Sequence, residues 1–189
     1  MKIRSLLLAS MLLLVPTTGS VAEAYLQPVV VDRQAFPVAR SSWYSVINFA
    51  NDWHAPRMRF VDGRWRQIGV HEGTDVFAEL GTPVVAVVAG RVEQVGWTFY
   101  SGWRVGIRDA QGRYWFYAHL SAFAPGISIG DRVASGQALG RVGNTGYGNT
   151  LGHQDEFTYH LHLGIQRADG VWVNPYPTLR RLYRVAANS

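Results

Sequence analysis

The sequence predicts an all-β domain of sandwich or rolled-sheet type, and three observations carry that reading. Short runs with a period of two recur along the chain. Trp103, Val105 and Ile107 alternate with Arg104, Gly106 and Arg108, and Leu161, Leu163 and Ile165 alternate with His160, His162 and Gly164. Such alternation marks a strand with one buried face. The runs are punctuated by turn residues, at Asp62-Gly63, Ala89-Gly90, Asp109-Ala110-Gln111-Gly112 and Ala168-Asp169-Gly170. Only Thr178 to Arg184 has the character of a helix, and it is short.

Residues 1–24 read as a secretory signal peptide. Lys2 and Arg4 start it, Leu6 to Val15 is the apolar run, and Ala22-Glu23-Ala24 is a small-x-small cleavage site. The apolar run is too short to span a bilayer as a mature helix. Cysteine is absent, which excludes a cysteine-linked lipid anchor and any disulfide. No membrane anchor is expected after cleavage. Residues 25–36 form a lead-in, extended or disordered. One domain follows over 37–183, with a short tail at 184–189.

Within the domain, Pro37 to Arg59 holds Trp43, Tyr44, Ile47, Phe49 and Trp53 without a clear period. It reads as irregular structure on the core, with a turn at Asn51–Arg57 and a hairpin around Asp62-Gly63. Val84 to Val88 is an apolar strand, and Arg91 to Trp97 follows Ala89-Gly90. Arg113 to His119 is a return strand, with Trp115, Tyr117 and His119 expected on one face. Ile129–Val133, Ala138–Val142 and Val171–Val173 complete the strands.

The chain carries a net charge of +5 and stays basic once Lys2, Arg4 and Glu23 are removed. Lys2 is its only lysine. A basic exported protein favours anionic surroundings such as wall polymers or anionic lipid. Nucleic acid is not an expected partner, because the arginines are scattered and no recognition motif occurs. Arg180, Arg181 and Arg184 cluster only as a solvated C-terminal face.

Three places carry chemistry. His160 and His162 share one strand face, with an apolar face behind them. His71-Glu72-Gly73-Thr74-Asp75 lies far upstream, and His119 ends another strand. A metal site in a cysteine-free chain is built from His, Asp and Glu, and a hydrolytic zinc takes three protein ligands. His71 and Asp75 would be about 13 Å apart on a straight strand. Gly73 permits the bend that brings them to one point. The third ligand comes from the His-x-His strand, and the two remaining histidines are acid/base groups near neutral pH.

The chain resembles the lysostaphin-type, LytM-like zinc endopeptidases of bacterial cell walls, from about Pro37 to Leu182. The resemblance rests on Asn51-Asp52-Trp53-x-Ala55-Pro56-Arg57, His71-x-Gly73-x-Asp75, Gly81-Thr82-Pro83-Val84, Tyr117-Ala118-His119-Leu120, Gly143-Asn144-Thr145-Gly146, His160-x-His162 and Val173-Asn174-Pro175. It implies a core of antiparallel sheet with the active site in a groove. It implies one zinc per chain, held by His71, Asp75 and His162, with His119 and His160 as the catalytic histidines. It implies peptidoglycan peptides as substrates, a secreted or periplasmic location, and a monomer. Zinc chemistry polarises the scissile carbonyl and acidifies water. One histidine takes a proton, and the other stabilises the oxyanion or protonates the leaving amine.

The chain departs from the family pattern in places. Tyr159 stands where a small residue or proline is usual. The loop from Tyr147 to Thr158, with His153, Asp155 and Glu156, is longer than usual. His54 replaces a common glycine and reads as structural, and Glu72 is expected to face away from the site. Relatives of this fold that lack part of the ligand set bind the wall or activate other hydrolases, which is the alternative function. In this chain the set is complete.

Overall fold

The computed structural model describes residues 28–40 and 47–187. Residues 1–24, expected as a signal peptide, and Trp43 and Tyr44 lie outside the described residues.

The elements in chain order are β1 (Val30–Val31), β2 (Gln34–Ala35), β3 (Pro56–Val61), β4 (Arg64–Val70), β5 (Thr74–Phe77), β6 (Pro83–Val85) and β7 (Gly90–Thr98). They continue with β8 (Gly102–Arg108), β9 (Tyr114–Phe123), β10 (Arg132–Val133), β11 (Ala138–Val142), β12 (His160–Gln166), β13 (Trp172–Val173) and the helix α1 (Tyr176–Ala187). Every pairing between these strands is antiparallel. The fold is therefore mainly β, as the alternating runs predict.

The main sheet forks. Its strands run β10-β7-β8-β9, and β9 then pairs with two neighbours on its far side. Tyr114 to Ala118 pair with β12, whereas Leu120 to Phe123 pair with β11. The β12 arm continues to β5 and β13, and the β11 arm to β6. His119 stands at the fork with a φ of 61°. This left-handed conformation breaks the alternation of β9. Trp115 and Tyr117 enter the core, while His119 turns to the opposite side with Phe116 and Ala118. The expectation that Trp115, Tyr117 and His119 share a face is thus corrected. A bulge lets two successive residues of one strand point the same way.

The core lies beneath this sheet, where Val76, Val84, Val105, Ile107, Leu139, Leu161 and Leu163 are fully buried. The segment at 28–36, expected as a lead-in, pairs β1 with β2, and Ala35 N–H donates to the Val87 carbonyl at 2.8 Å. It is held because Phe36 packs against Phe49 and Tyr183 at 5.7 and 5.3 Å. Tyr183 belongs to α1, which begins earlier and ends later than the sequence pattern implies. Asn174 caps it, its side-chain oxygen accepting the Tyr176 N–H at 2.9 Å. Leu179, Leu182 and Ala186 form its buried stripe.

Beyond the main sheet, β3 and β4 form a separate hairpin through Asp62-Gly63. All seven residues of β4 are exposed. Its register places Arg59 opposite Arg66 and Phe60 opposite Trp65.

The turn between β8 and β9 shows how the sheet is held. Asp109 is almost fully buried there. It accepts the N–H groups of Gln111 and Arg113 at 2.9 Å each, the Arg113 Nε–H at 2.7 Å and the Trp115 Nε1–H at 2.9 Å. Burial opposes its charge, but the bonds from Trp115 and Arg113 hold its carboxyl below the usual range. Asp109→Ala orphans the buried indole N–H, so urea unfolding should show a loss of about 2–3 kcal/mol. A depressed native pKa adds stability that is complete above the unfolded value and lost as pH falls through the native one. The difference between wild type and Asp109→Ala should therefore shrink on acidification.

Candidate active site

β5 and β12 are neighbours, and their register sets His162 opposite Asp75 and His160 opposite Phe77. Leu161, Leu163 and Ile165 face the core, so both histidines of β12 face out together. His71 precedes β5, and the chain bends at Gly73 before entering it. The bend removes the strand-length separation, and the His71 Nε2 lies 3.1 Å from Asp75 Oδ1. Gly73 also serves by close approach. A methyl group there would overlap the His162 ring and lie 2.8 Å from the Leu163 carbonyl oxygen.

Three donor atoms meet at one point. His71 Nε2 and His162 Nδ1 are 2.9 Å apart, and Asp75 Oδ1 is 3.1 Å from the first and 3.0 Å from the second. A tetrahedral zinc with bonds of about 2.0–2.1 Å spaces its ligand atoms by about 3.3 Å. The triangle is slightly tighter than that. Two imidazole nitrogens and one carboxylate oxygen suit a borderline cation such as zinc. The residues fit the metal that the resemblance implies.

Around the triad, a turn from the Asn51–Arg57 motif supplies support that sequence reasoning did not assign. Asp52 Oδ2 accepts the His71 Nδ1–H at 2.9 Å, which leaves Nε2 as the donor atom toward the triad. Arg57 donates to Asp75 Oδ2 at 3.1 Å, which leaves Oδ1 for the triad. Backbone bonds from His54 to His71 and from His71 to Ala55 hold the turn in place, at 2.9 Å each. Asn51 accepts the Asn174 amide at 2.9 Å, tying the turn to the helix cap. The only sign in the sequence was the Asn51–Arg57 motif itself, since the contacts span 18 residues or more.

His119 and His160 stand beside the triad, with ring centres 4.9 Å apart. Each has its Nδ1 committed to a backbone carbonyl: His119 to Thr145 and His160 to Thr158, both at 2.7 Å. A carbonyl only accepts, so Nδ1 carries a proton in each and Nε2 is the nitrogen left for chemistry. His160 Nε2 is 3.6 Å from Asp75 Oδ1. Tyr147 and Phe157 flank His119, at 6.2 and 4.9 Å between ring centres. His153 is exposed in the loop and Glu72 is exposed beside His71. His54 stacks on Trp53 at 4.4 Å.

Electrostatics separate His71 from His162 and His119. Burial works against charge on His71, but bonds to Asp52 and Asp75 outweigh it and raise its pKa to about 9. Burial also opposes charge on Asp75, and the imidazoles of His162 and His71 nevertheless hold its carboxyl far below the usual range. Burial lowers His162, with Asp75 acting in the other direction. Burial, then His160 and His162, push His119 down to about 3, so it is neutral at physiological pH.

The site opens into a cavity of about 840 Å³ between the β3–β4 hairpin and the 147–158 loop. A second cavity of about 350 Å³ lies on the other side of Arg57, with His71, His119 and His162 in its wall.

Residues 69–175, which contain the triad, His119 and His160, match the model of Peptidase family M23. The chain belongs to peptidase family M23. It is similar to an L-Ala–D-Glu endopeptidase of Bacillus subtilis (strain 168), with 46% identity over 114 residues. That match covers 59% of this chain, and the chain spans 35% of that relative's length. Among solved structures it is similar to a LytM protein from Ruminococcus gnavus, with a TM-score of 0.66, 34% identity, and 79% and 60% of the two chains covered. It is also similar to the catalytic domain of lysostaphin from Staphylococcus simulans, with a TM-score of 0.55, 28% identity, and 71% and 92% covered.

Gly73→Ala should displace the His162 ring and weaken zinc binding by at least about 10-fold, with the far-ultraviolet circular dichroism unchanged. A zinc ion at the triad would compete with a proton on His71, whose pKa burial and its partners set near 9. Zinc affinity should therefore rise about tenfold per pH unit toward pH 9 and level off above it. Calorimetry in buffers of different ionisation enthalpy should count about one proton released at neutral pH.

Proposed function

We propose that this chain is an exported zinc endopeptidase that hydrolyses peptide bonds in peptidoglycan stem peptides or cross-bridges. The observation that carries the reading is the convergence of a ligand set and two further histidines on one site. The donor atoms of His71, Asp75 and His162 meet at one point, where Asp75, His119 and His160 line the larger cavity and His71, His119 and His162 the smaller one, and His119 and His160 stand beside the triangle without belonging to it. One zinc held by that triad is the assignment we favour. Residues 1–24 are then its signal peptide and 37–183 its catalytic domain. No helix among the described residues is long and apolar enough to cross a membrane.

Zinc, when bound, supplies Lewis-acid polarisation of a peptide carbonyl and acidification of water. The chain's own residues do the rest. His119 and His160 each hold Nδ1–H on a carbonyl, and His119, its pKa pushed down by burial, presents Nε2 as a proton acceptor. The same nitrogen, once protonated, is a donor to an oxyanion or a departing amine. Asp52 holds the tautomer of His71, and Arg57 holds Asp75 to one oxygen. Phe157 and Tyr147 restrict water beside His119.

His119→Ala and His160→Ala should keep their zinc and fold while turnover falls by about 10² to 10⁴. The two effects should be far from additive, because both act on one transition state. Metal analysis, peptide hydrolysis and mass spectrometry of fragments released from purified peptidoglycan test this on the same preparations. Full activity in both variants, or loss of zinc from either, contradicts these roles for the two histidines.

A further inference from the structure

The cavity beside the triad has walls of opposite charge. One wall is the β3–β4 hairpin, which carries Arg57, Arg59, Arg64 and Arg66 against a single acid, Asp62. Arg57 and Arg59 line the cavity. The other wall is the 147–158 loop, which has no basic residue besides His153 and places Asp155 and Glu156 on the same cavity. Asp75, His119 and His160 lie between the walls.

The hairpin retains this charge against its own stability. Arg59 and Arg66 are register partners, and like charges directly opposite destabilise a strand pair. Arg57 has one N–H on Asp75 at 3.1 Å, while its guanidinium carries five donors. Arg59 lies over the Phe99 ring at 5.3 Å, which fixes the side chain and leaves its N–H edge free. Both are suited to a carboxylate.

The opposing wall is held as firmly. Asn144 donates to the Asp155 carbonyl at 2.7 Å, the Asp155 N–H donates to the Asn144 carbonyl at 3.1 Å, and Trp97 Nε1–H donates to Gly148 at 3.1 Å. Asp155 Oδ1 accepts the Glu156 N–H at 2.8 Å, leaving Oδ2 and the Glu156 carboxylate for a cation. The loop thus carries two carboxylates to the rim, of which Asp155 is held by its backbone and Oδ1 bonds and Glu156 is exposed.

We propose that the groove selects peptides bearing a free carboxylate on the hairpin side of the scissile bond and a free amine on the loop side. This rests on the endopeptidase reading and names the substrate class of that site. Uncharged bridges such as oligoglycine are then poor substrates. Arg59, Asp155 and Glu156 set specificity, and Arg57 combines that task with holding Asp75.

The test uses the zinc-loaded full chain and four blocked synthetic peptides of equal length. One has an internal carboxylate and an internal amine, one has the carboxylate amidated, one has the amine acetylated, and one is oligoglycine. Hydrolysis is followed on the wild type, and Kd is measured on zinc-loaded His119→Ala. Amidation and acetylation should each weaken binding and lower kcat/KM by about 10- to 100-fold. Arg59→Gln should abolish the penalty of amidation, and the Asp155→Asn, Glu156→Gln pair the penalty of acetylation, with zinc content unchanged. Added salt should narrow all the differences. Equal binding and equal cleavage of the four peptides overturns the charge selection and leaves the endopeptidase reading standing. Selective binding without cleavage supports the selection and removes the endopeptidase reading. Absence of both binding and cleavage overturns both.

Discussion

The structure depends on one buried carboxylate. Asp75 sits at the end of three imidazoles and one guanidinium, with His71, His162 and Arg57 within 3.1 Å and His160 at 3.6 Å. A carboxylate this buried is strongly disfavoured unless it is paired and hydrogen-bonded. Its neighbours come from separate parts of the chain. The hairpin base, His71 just after β4 and two positions of β12 must all be in place before Asp75 is satisfied. The requirement couples the small hairpin, the β5–β12 ladder and the loop beyond Thr145 into one arrangement. A divalent cation at the triangle would replace the proton on His71 and relieve the crowding of nitrogen lone pairs. That is why the site's stability and its metal affinity are expected to be linked.

Local rules are broken where the chemistry gathers. His119 has a positive φ, which non-glycine residues adopt at a cost of order 1 kcal/mol or more. The fork of the sheet sustains it, since β9 pairs with β12 on one side of His119 and with β11 on the other. Tyr147, which flanks His119, also has a positive φ, of 51°. Gly73 is needed because the His162 ring occupies the space of a side chain. These are departures from strand regularity that place three side chains on one cavity.

Much of this is legible in the sequence. Strands with a period of two, such as β8 and β12, reveal themselves because one face of each is dry. The bend at Gly73 follows from the need to join His71 to Asp75, and the hairpin follows from Asp62-Gly63. The side reached by His119 is not legible, because a bulge is a consequence of pairing with two neighbours at once and leaves no periodic trace. Nor are the roles of Asp52 and Arg57, whose partners lie far along the chain. Their motif carries a resemblance but no geometry. The packing of residues 28–36 is hidden for a similar reason: Phe36 finds Tyr183 only once α1 is docked, and short β1 and β2 have too few residues for a pattern. The full length of α1 is hidden because Tyr176 and Pro177 do not look helical until Asn174 is seen to cap them.

The central claim is that His71, Asp75 and His162 alone hold the metal while His119 and His160 stay free of it. Anomalous diffraction at the zinc absorption edge, from crystals of the zinc-loaded protein, tests it most directly. One peak is predicted, within about 2.0–2.2 Å of His71 Nε2, Asp75 Oδ1 and His162 Nδ1, with no bond from His119 or His160. A peak bonded to His119 or His160, or no peak at the triad, would contradict it.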